Sequence, residues 1–211
     1  MPNWCNNVVE LYHEDKEMVA RAKDAFKRGE FLNEFIPVPE DLKITAGRVG
    51  ADNDEAQIKL DEQVKANQEK HGYNTWYDFC INEWGCKWDV GGDDAIINEG
   101  HFNNLTMSFD SPWGPPLNAY EKLEEMGFKI RAYYYEPGMA FCGIYEGGYD
   151  EYYELSSYTD SSVVAESIPA ELDEMFAIVE NMQEWEAEME EEERVNEEYN
   201  HSLDDPNAKE H

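Results

Sequence analysis

From Glu184 to Glu198 the chain sets nine glutamates against one arginine, Arg194, and no folded core can take in such a run. An unpaired carboxylate is too costly to bury, so this stretch must face water or a cationic partner. It belongs to a wider asymmetry. Of the 48 acids and 16 bases that give a net charge of -32, residues up to Tyr145 hold 26 acids and 14 bases, net -12. The remainder holds 22 acids and 2 bases, net -20. A globular body followed by an acidic C-terminal region is expected.

This charge argues against direct binding to nucleic acid or to an anionic membrane, both of which need the opposite sign. No apolar stretch approaches the ~20 residues of a membrane span. The opening Met-Pro-Asn-Trp-Cys has no cationic start of a signal peptide, so a cytoplasmic location is expected. Aromatics make up 13% of the residues, enough large apolar surface for a core despite the charge.

Asn6 to Tyr12 reads as a strand, and Asp15 caps an amphipathic helix carrying Met18, Val19, Ala22, Ala25 and Phe26 that stops at Gly29. Phe35 to Pro39 reads as extended. Lys43 to Lys70 is polar with weak periodicity and reads as an insertion holding at most one helix. Asn74 to Trp84 reads as a helix ended by Gly85, and Cys86 to Val90 alternates as a strand. Leu105, Met107 and Phe109 mark a further strand, Leu117 to Met126 a helix closed by Gly127, and Phe128 to Tyr135 a strand. Ala140 to Tyr145 is its hairpin partner, and Tyr149 to Leu155 follows as another strand.

Strand, helix, strand, strand, helix, strand is the ferredoxin-like split βαβ order, an α+β antiparallel sheet with helices on one face and here a hairpin extension. The expected domain runs over residues 1–157, with its insertion near 43–70, and an acidic helical region over 158–211. In that region Leu172, Met175, Val179, Met182 and Met189 predict an amphipathic helix interrupted by Glu186, whose stripe could meet the body or a second copy over 172–189. His201 to His211 is expected to be disordered.

Four segments carry a resemblance. Met1-Pro2-Asn3-Trp4-Cys5-Asn6-Asn7, Trp84-Gly85-Cys86-Lys87-Trp88-Asp89, Ser111-Pro112-Trp113-Gly114-Pro115-Pro116 and Tyr135-Glu136-Pro137-Gly138-Met139-Ala140-Phe141-Cys142-Gly143 resemble, in order, the markers of the YubB-type ferredoxin-like family. They span about two thirds of the chain. The chain departs from that pattern at Cys86, where a threonine is expected, and in the acidic segment after Pro169. The resemblance implies the ferredoxin-like fold and a phage or plasmid setting; it implies no reaction.

No phosphate loop, nucleophile elbow, His-Glu-x-x-His or dinucleotide fingerprint occurs. Cys80 and Cys86 are separated by five residues with no His pair nearby, and Asp52-Asn53-Asp54-Glu55 lacks the spacing of a calcium loop. His13, His71 and His101 fall in separate elements. No catalytic residue, metal or cofactor is expected.

The favoured expectation is a non-enzymatic phage or mobile-element inhibitor that binds a host DNA-binding or nuclease protein by imitating DNA. Its contacts would be Asp173, Glu174, Glu180, Glu184, Glu186, Glu188, Glu190, Glu191, Glu192, Glu193, Glu197 and Glu198. Carboxylates three and four residues apart on a helix lie roughly 5 to 6 Å apart, comparable with neighbouring phosphates. The alternative is a module that binds a protein or small ligand through aromatics, among them Trp4, Trp84, Trp88, Trp113, Tyr133 and Tyr135, with the acidic tail only solubilising. Phe109 would join Trp88, Tyr133 and Tyr135 on a sheet face.

Overall fold

A computed structural model describes residues 3–51, 54–93 and 96–203, with side chains as far as Asn196. The chain forms two compact units, Met1–Tyr152 and Tyr153–His211. Residues 1–152 hold 29 acids and 14 bases, net -15, whereas residues 153–211 hold 19 acids and 2 bases, net -17. The smaller unit therefore carries the higher charge density.

The first unit runs β1 (Trp4–Tyr12), α1 (Lys16–Lys27), α2 (Phe31–Phe35), α3 (Glu55–His71), α4 (Trp76–Glu83), β2 (Ile96–Glu99) and β3 (Asn104–Pro112). It continues with α5 (Leu117–Glu125), β4 (Lys129–Glu136), β5 (Phe141–Glu146) and β6 (Tyr149–Glu154), the last ending just past the unit boundary. The sheet order is β2-β3-β1-β4-β5-β6, and the pairs β2–β3, β3–β1, β1–β4 and β4–β5 are antiparallel. The first four strands give the ferredoxin-like order, and β5 and β6 are the hairpin extension.

Alternation fixes which face each strand buries. Val9 and Leu11 of β1, Leu105 and Met107 of β3, and Ile130 and Ala132 of β4 share one core with Ala22 and Phe26 of α1 and Tyr120 and Leu123 of α5. Helix α1 starts where expected: the Asp15 carboxylate accepts from the Glu17 amide at 2.8 Å. The polar insertion forms α3, capped by Asp54, whose carboxylate accepts from Ala56 N at 2.8 Å. Its weak apolar period has a reason. Buried Asn67 attaches it by donating to the carbonyls of Asp41 and Asn74 at 2.8 and 3.1 Å.

Cys86 to Val90 is not a strand; the second strand is β2. Gly85, Gly91 and Gly92 all take positive φ, which breaks an extended backbone at both ends of the segment. Between them Cys86 and Val90 are buried, and the Asp89 carboxylate accepts from the amides of Leu32, Asn33 and Val90 at 2.7, 2.9 and 2.8 Å. The segment is a plug that caps the first turn of α2, itself an element the sequence reading did not anticipate.

The second unit contains α6 (Ser161–Ser167), α7 (Ala170–Phe176) and α8 (Ile178–Leu203), with α6 and α7 packed against α8. The continuous helix expected from Leu172 to Met189 is broken. Ala177 takes a left-handed conformation, φ 50° and ψ 44°, and Asp173 restarts the helix by accepting from Val179 N at 2.8 Å. Leu172 and Ile178 are buried on either side of the break. Helix α8 runs through His201 to Leu203, where disorder was expected; residues 204–211 lie outside the described part of the chain. No helix among the described residues is long and apolar enough to cross a membrane.

Candidate functional site

The first three marker segments meet at one corner of the first unit. Trp4 pairs with Pro112 in the β1–β3 register, which sets Trp113 beside the start of β1, and the Trp113 amide donates to Asn3 O at 2.9 Å. Buried Asn7 ties these segments together by donating to Cys5 O at 2.8 Å, Phe109 O at 3.3 Å and Ser111 Oγ at 2.8 Å. Ser111 Oγ donates onward to Gly114 O at 2.7 Å. Trp84 anchors the remaining segment from inside: it is 4% exposed, and its Nε1 donates to Ile36 O at 3.0 Å.

Three tryptophans stay outside. Trp4, Trp88 and Trp113 are 44%, 39% and 41% exposed, with Tyr77 of α4 at 37%. The rings of Trp4 and Trp88 lie 5.9 Å apart at 34°. Lys87 connects the group: its Nζ stands 4.6 Å from the ring centre of Trp88, 5.7 Å from Trp113 and 5.8 Å from Tyr77. Such cation–π contacts contribute roughly 0.5–1 kcal/mol at exposed sites. Among the described residues Lys87 forms no ion pair, and neither do Lys16, Lys27, Lys65 and Lys129, whereas Lys23, Lys43, Lys59, Lys70 and Lys122 do.

Trp113 is also held at φ 66°, in the left-handed region that costs a bulky residue roughly 1–3 kcal/mol. On the Tyr77 side, Lys87 borders a cleft of about 530 Å³ lined also by Thr45, Leu60, Asp61, Thr75 and Asp78. Both aspartates already accept hydrogen bonds, Asp61 from Gln57 Nε2 at 2.7 Å and Asp78 from Asn74 N at 3.1 Å.

The aromatic sheet platform does not assemble. Phe109 pairs with Asn7 and Asn7 with Tyr134, so Phe109 faces the helices, while Tyr133 and Tyr135 point to the opposite face. Tyr133, Tyr135 and Phe109 are all buried, and Trp88 lies outside the sheet. Of the six aromatics expected at a site, Trp4, Trp88 and Trp113 converge at the surface, and Trp84, Tyr133 and Tyr135 offer none. Sequence reasoning missed Lys87 and Tyr77 as members. The adjacency of Lys87 to Trp88 was visible, but Tyr77 enters only through the packing of α4.

The acidic residues divide by role. Glu180, Glu184, Glu188, Glu190, Glu191, Glu192 and Glu193 are exposed along α8, and Glu174 is exposed on α7. Arg194, the one basic residue of α8, pairs with Glu191 at 2.6 Å. Glu186 and Asp173 are structural: Glu186 accepts from Ser161 N and Oγ, each at 2.7 Å, and Asp173 caps α8. The side chains of Glu197 and Glu198 lie outside the described residues. Met175, Trp185 and Met189 leave 40%, 60% and 40% of their surface open on the segment considered for self-association.

The cysteines are poor nucleophiles in this setting. Burial pushes the thiols of Cys80, Cys86 and Cys142 up to about 12 and that of Cys5 higher still, so all four stay protonated at neutral pH. No three or more His, Cys, Asp or Glu side chains among the described residues are grouped as metal ligands. Asp52 of the acidic turn considered for calcium lies outside those residues.

No protein-family profile and no curated protein matches the chain. One solved structure, the protein api92 from Yersinia pseudotuberculosis of family DUF1281, is similar over 73% of this chain and 98% of that one, at 14% identity and a TM-score of 0.38. A likeness this distant carries no functional argument.

Proposed function

We propose that the chain is a non-enzymatic inhibitor, encoded by a phage or other mobile element, that occupies the DNA-binding groove of a host restriction, nuclease or related defence protein in the host cytoplasm. The observation that supports this reading is the row of exposed carboxylates on α8, for which Arg194 is the helix's one internal counter-charge. At 1.5 Å per residue the 26 residues of α8 span about 39 Å, the length of roughly eleven base pairs. A basic groove attracts such a rod at rates steered by charge and weakened by salt, without reading bases. The mobile-element setting rests on the resemblance of the four marker segments.

The contact set is Glu184, Glu188, Glu190, Glu191, Glu192 and Glu193, with Glu174 and Glu180 as its continuation. Glu186 is left out because its carboxylate is engaged by Ser161. Affinity capture from a bacterial lysate tests the reading with the full chain and a variant carrying glutamine at those six positions. A DNA-binding protein held by the native chain, displaced by duplex DNA and lost in the variant is the expected result. Equal capture by both chains would remove α8 as the contact surface.

A further inference from the structure

The corner around Lys87 has a chemistry that the acidic helix does not explain. We infer that it binds a single nucleoside monophosphate, with the base stacked on the exposed tryptophans and the phosphate on Lys87.

Three observations define the ligand. First, Lys87 has no carboxylate partner among the described residues, so its ammonium, held among aromatic rings, can receive an anion. Second, the rings of Trp88, Trp113 and Tyr77 stand around that ammonium within 5.8 Å, and Trp4 extends the surface, so the anion must carry a flat body that stacks. Third, the adjoining cleft of about 530 Å³ has the size of a small-molecule site and counts Thr45, Thr75, Asp61 and Asp78 among its lining residues. Hydroxyls and carboxylates suit a sugar and the amino edge of a base.

The same carboxylates limit the charge. With a net -15 over residues 1–152, one phosphate can be neutralised by Lys87, whereas a polynucleotide would be repelled along its length. The left-handed Trp113, pinned through its amide to Asn3, presets one ring edge of the site.

Calorimetric titration of the full chain with the four common nucleoside monophosphates, adenosine and inorganic phosphate tests this assignment. At least one monophosphate should bind with a submillimolar Kd, and adenosine and phosphate each at least about tenfold more weakly. Lys87→Met should weaken the monophosphate by about tenfold or more, with Lys87→Arg restoring it. Trp88→Ala should weaken adenosine and monophosphate alike. Absence of binding by every monophosphate at about 5 mM, an unchanged Kd in Lys87→Met, or tighter binding of a single-stranded oligonucleotide would overturn the inference. The six glutamate-to-glutamine substitutions on α8 should leave nucleotide binding unchanged, so failure here and failure of the inhibitor reading are separable.

Discussion

Glu186 reaches from the middle of α8 to the first residue of α6, where its two carboxylate oxygens accept from Ser161 N and Ser161 Oγ, each at 2.7 Å. A glutamate inside an apolar stripe thus holds two helices together. Hydrogen bonds to charged groups contribute about 1.5–3 kcal/mol, less where solvent competes. Glu186→Ala should therefore lower the stability of the second unit by about 1–3 kcal/mol. Glu188→Gln or Glu192→Gln should be neutral or slightly stabilising, because like charges four apart repel by about 0.2–0.5 kcal/mol. Denaturant unfolding and amide exchange at Ser161 distinguish these outcomes; equal effects would make Glu186 one more solvated carboxylate.

Asp89 supplies a pH dependence. Burial pushes its carboxyl up to about 6, with the neighbouring Glu30 adding to the rise, while the amides of Asn33, Leu32 and Val90 pull the other way. A folded-state value above the unfolded one means the folded chain holds the proton more tightly. The contribution of Asp89 is then greatest below about pH 4 and falls as pH rises towards 6. Relative to Asp89→Asn, the native chain should lose up to about 3 kcal/mol over that window and level off above it. Thermal melts of both proteins from acid to neutral pH measure the difference, and a constant gap would contradict the assignment.

Gly91 and Gly92 give a steric contrast. A Cβ on Gly91 would lie 2.1 Å from the carbonyl oxygen of Phe26, whereas one on Gly92 would meet nothing nearer than 3.7 Å. Gly91→Ala should cost about 3 kcal/mol or more or prevent folding. Gly92→Ala should cost about 1–2 kcal/mol from its positive φ alone. Chemical denaturation of the pair tests this, and equal losses would contradict it.

The strain at Trp113 predicts an opposition between stability and binding. Trp113→Gly relieves a left-handed backbone while removing a ring that is 41% exposed, so its melting temperature should be unchanged or raised. A loss of about 2 kcal/mol or more would instead assign the ring to packing.

The α+β fold was legible because β1 and β3 alternate, as β4 does up to Ala132, and α1 and α5 each present one apolar face. The plug from Cys86 to Val90 was misread as a strand since its alternation serves a different end: Cys86 and Val90 enter the core while Asp89 caps α2. The break at Ala177 carried no glycine or proline to announce it, and its left-handed turn is held by Asp173. Glu186 looked like an interruption because its partner, Ser161, is 25 residues away. At the aromatic corner the tryptophans were visible, but which ones stay outside depends on the register Trp4–Pro112 and on the buried hydrogen bond of Trp84.

The contact we propose between the carboxylates of α8 and a basic DNA-binding protein is electrostatic. Its most direct test is the affinity of the captured partner for the native chain and for the six-position glutamine variant, measured from roughly 50 to 200 mM salt. The native chain should weaken by about tenfold or more across that range, and the variant should bind more weakly with a flatter salt dependence. Identical affinities and identical slopes for the two chains would contradict the claim.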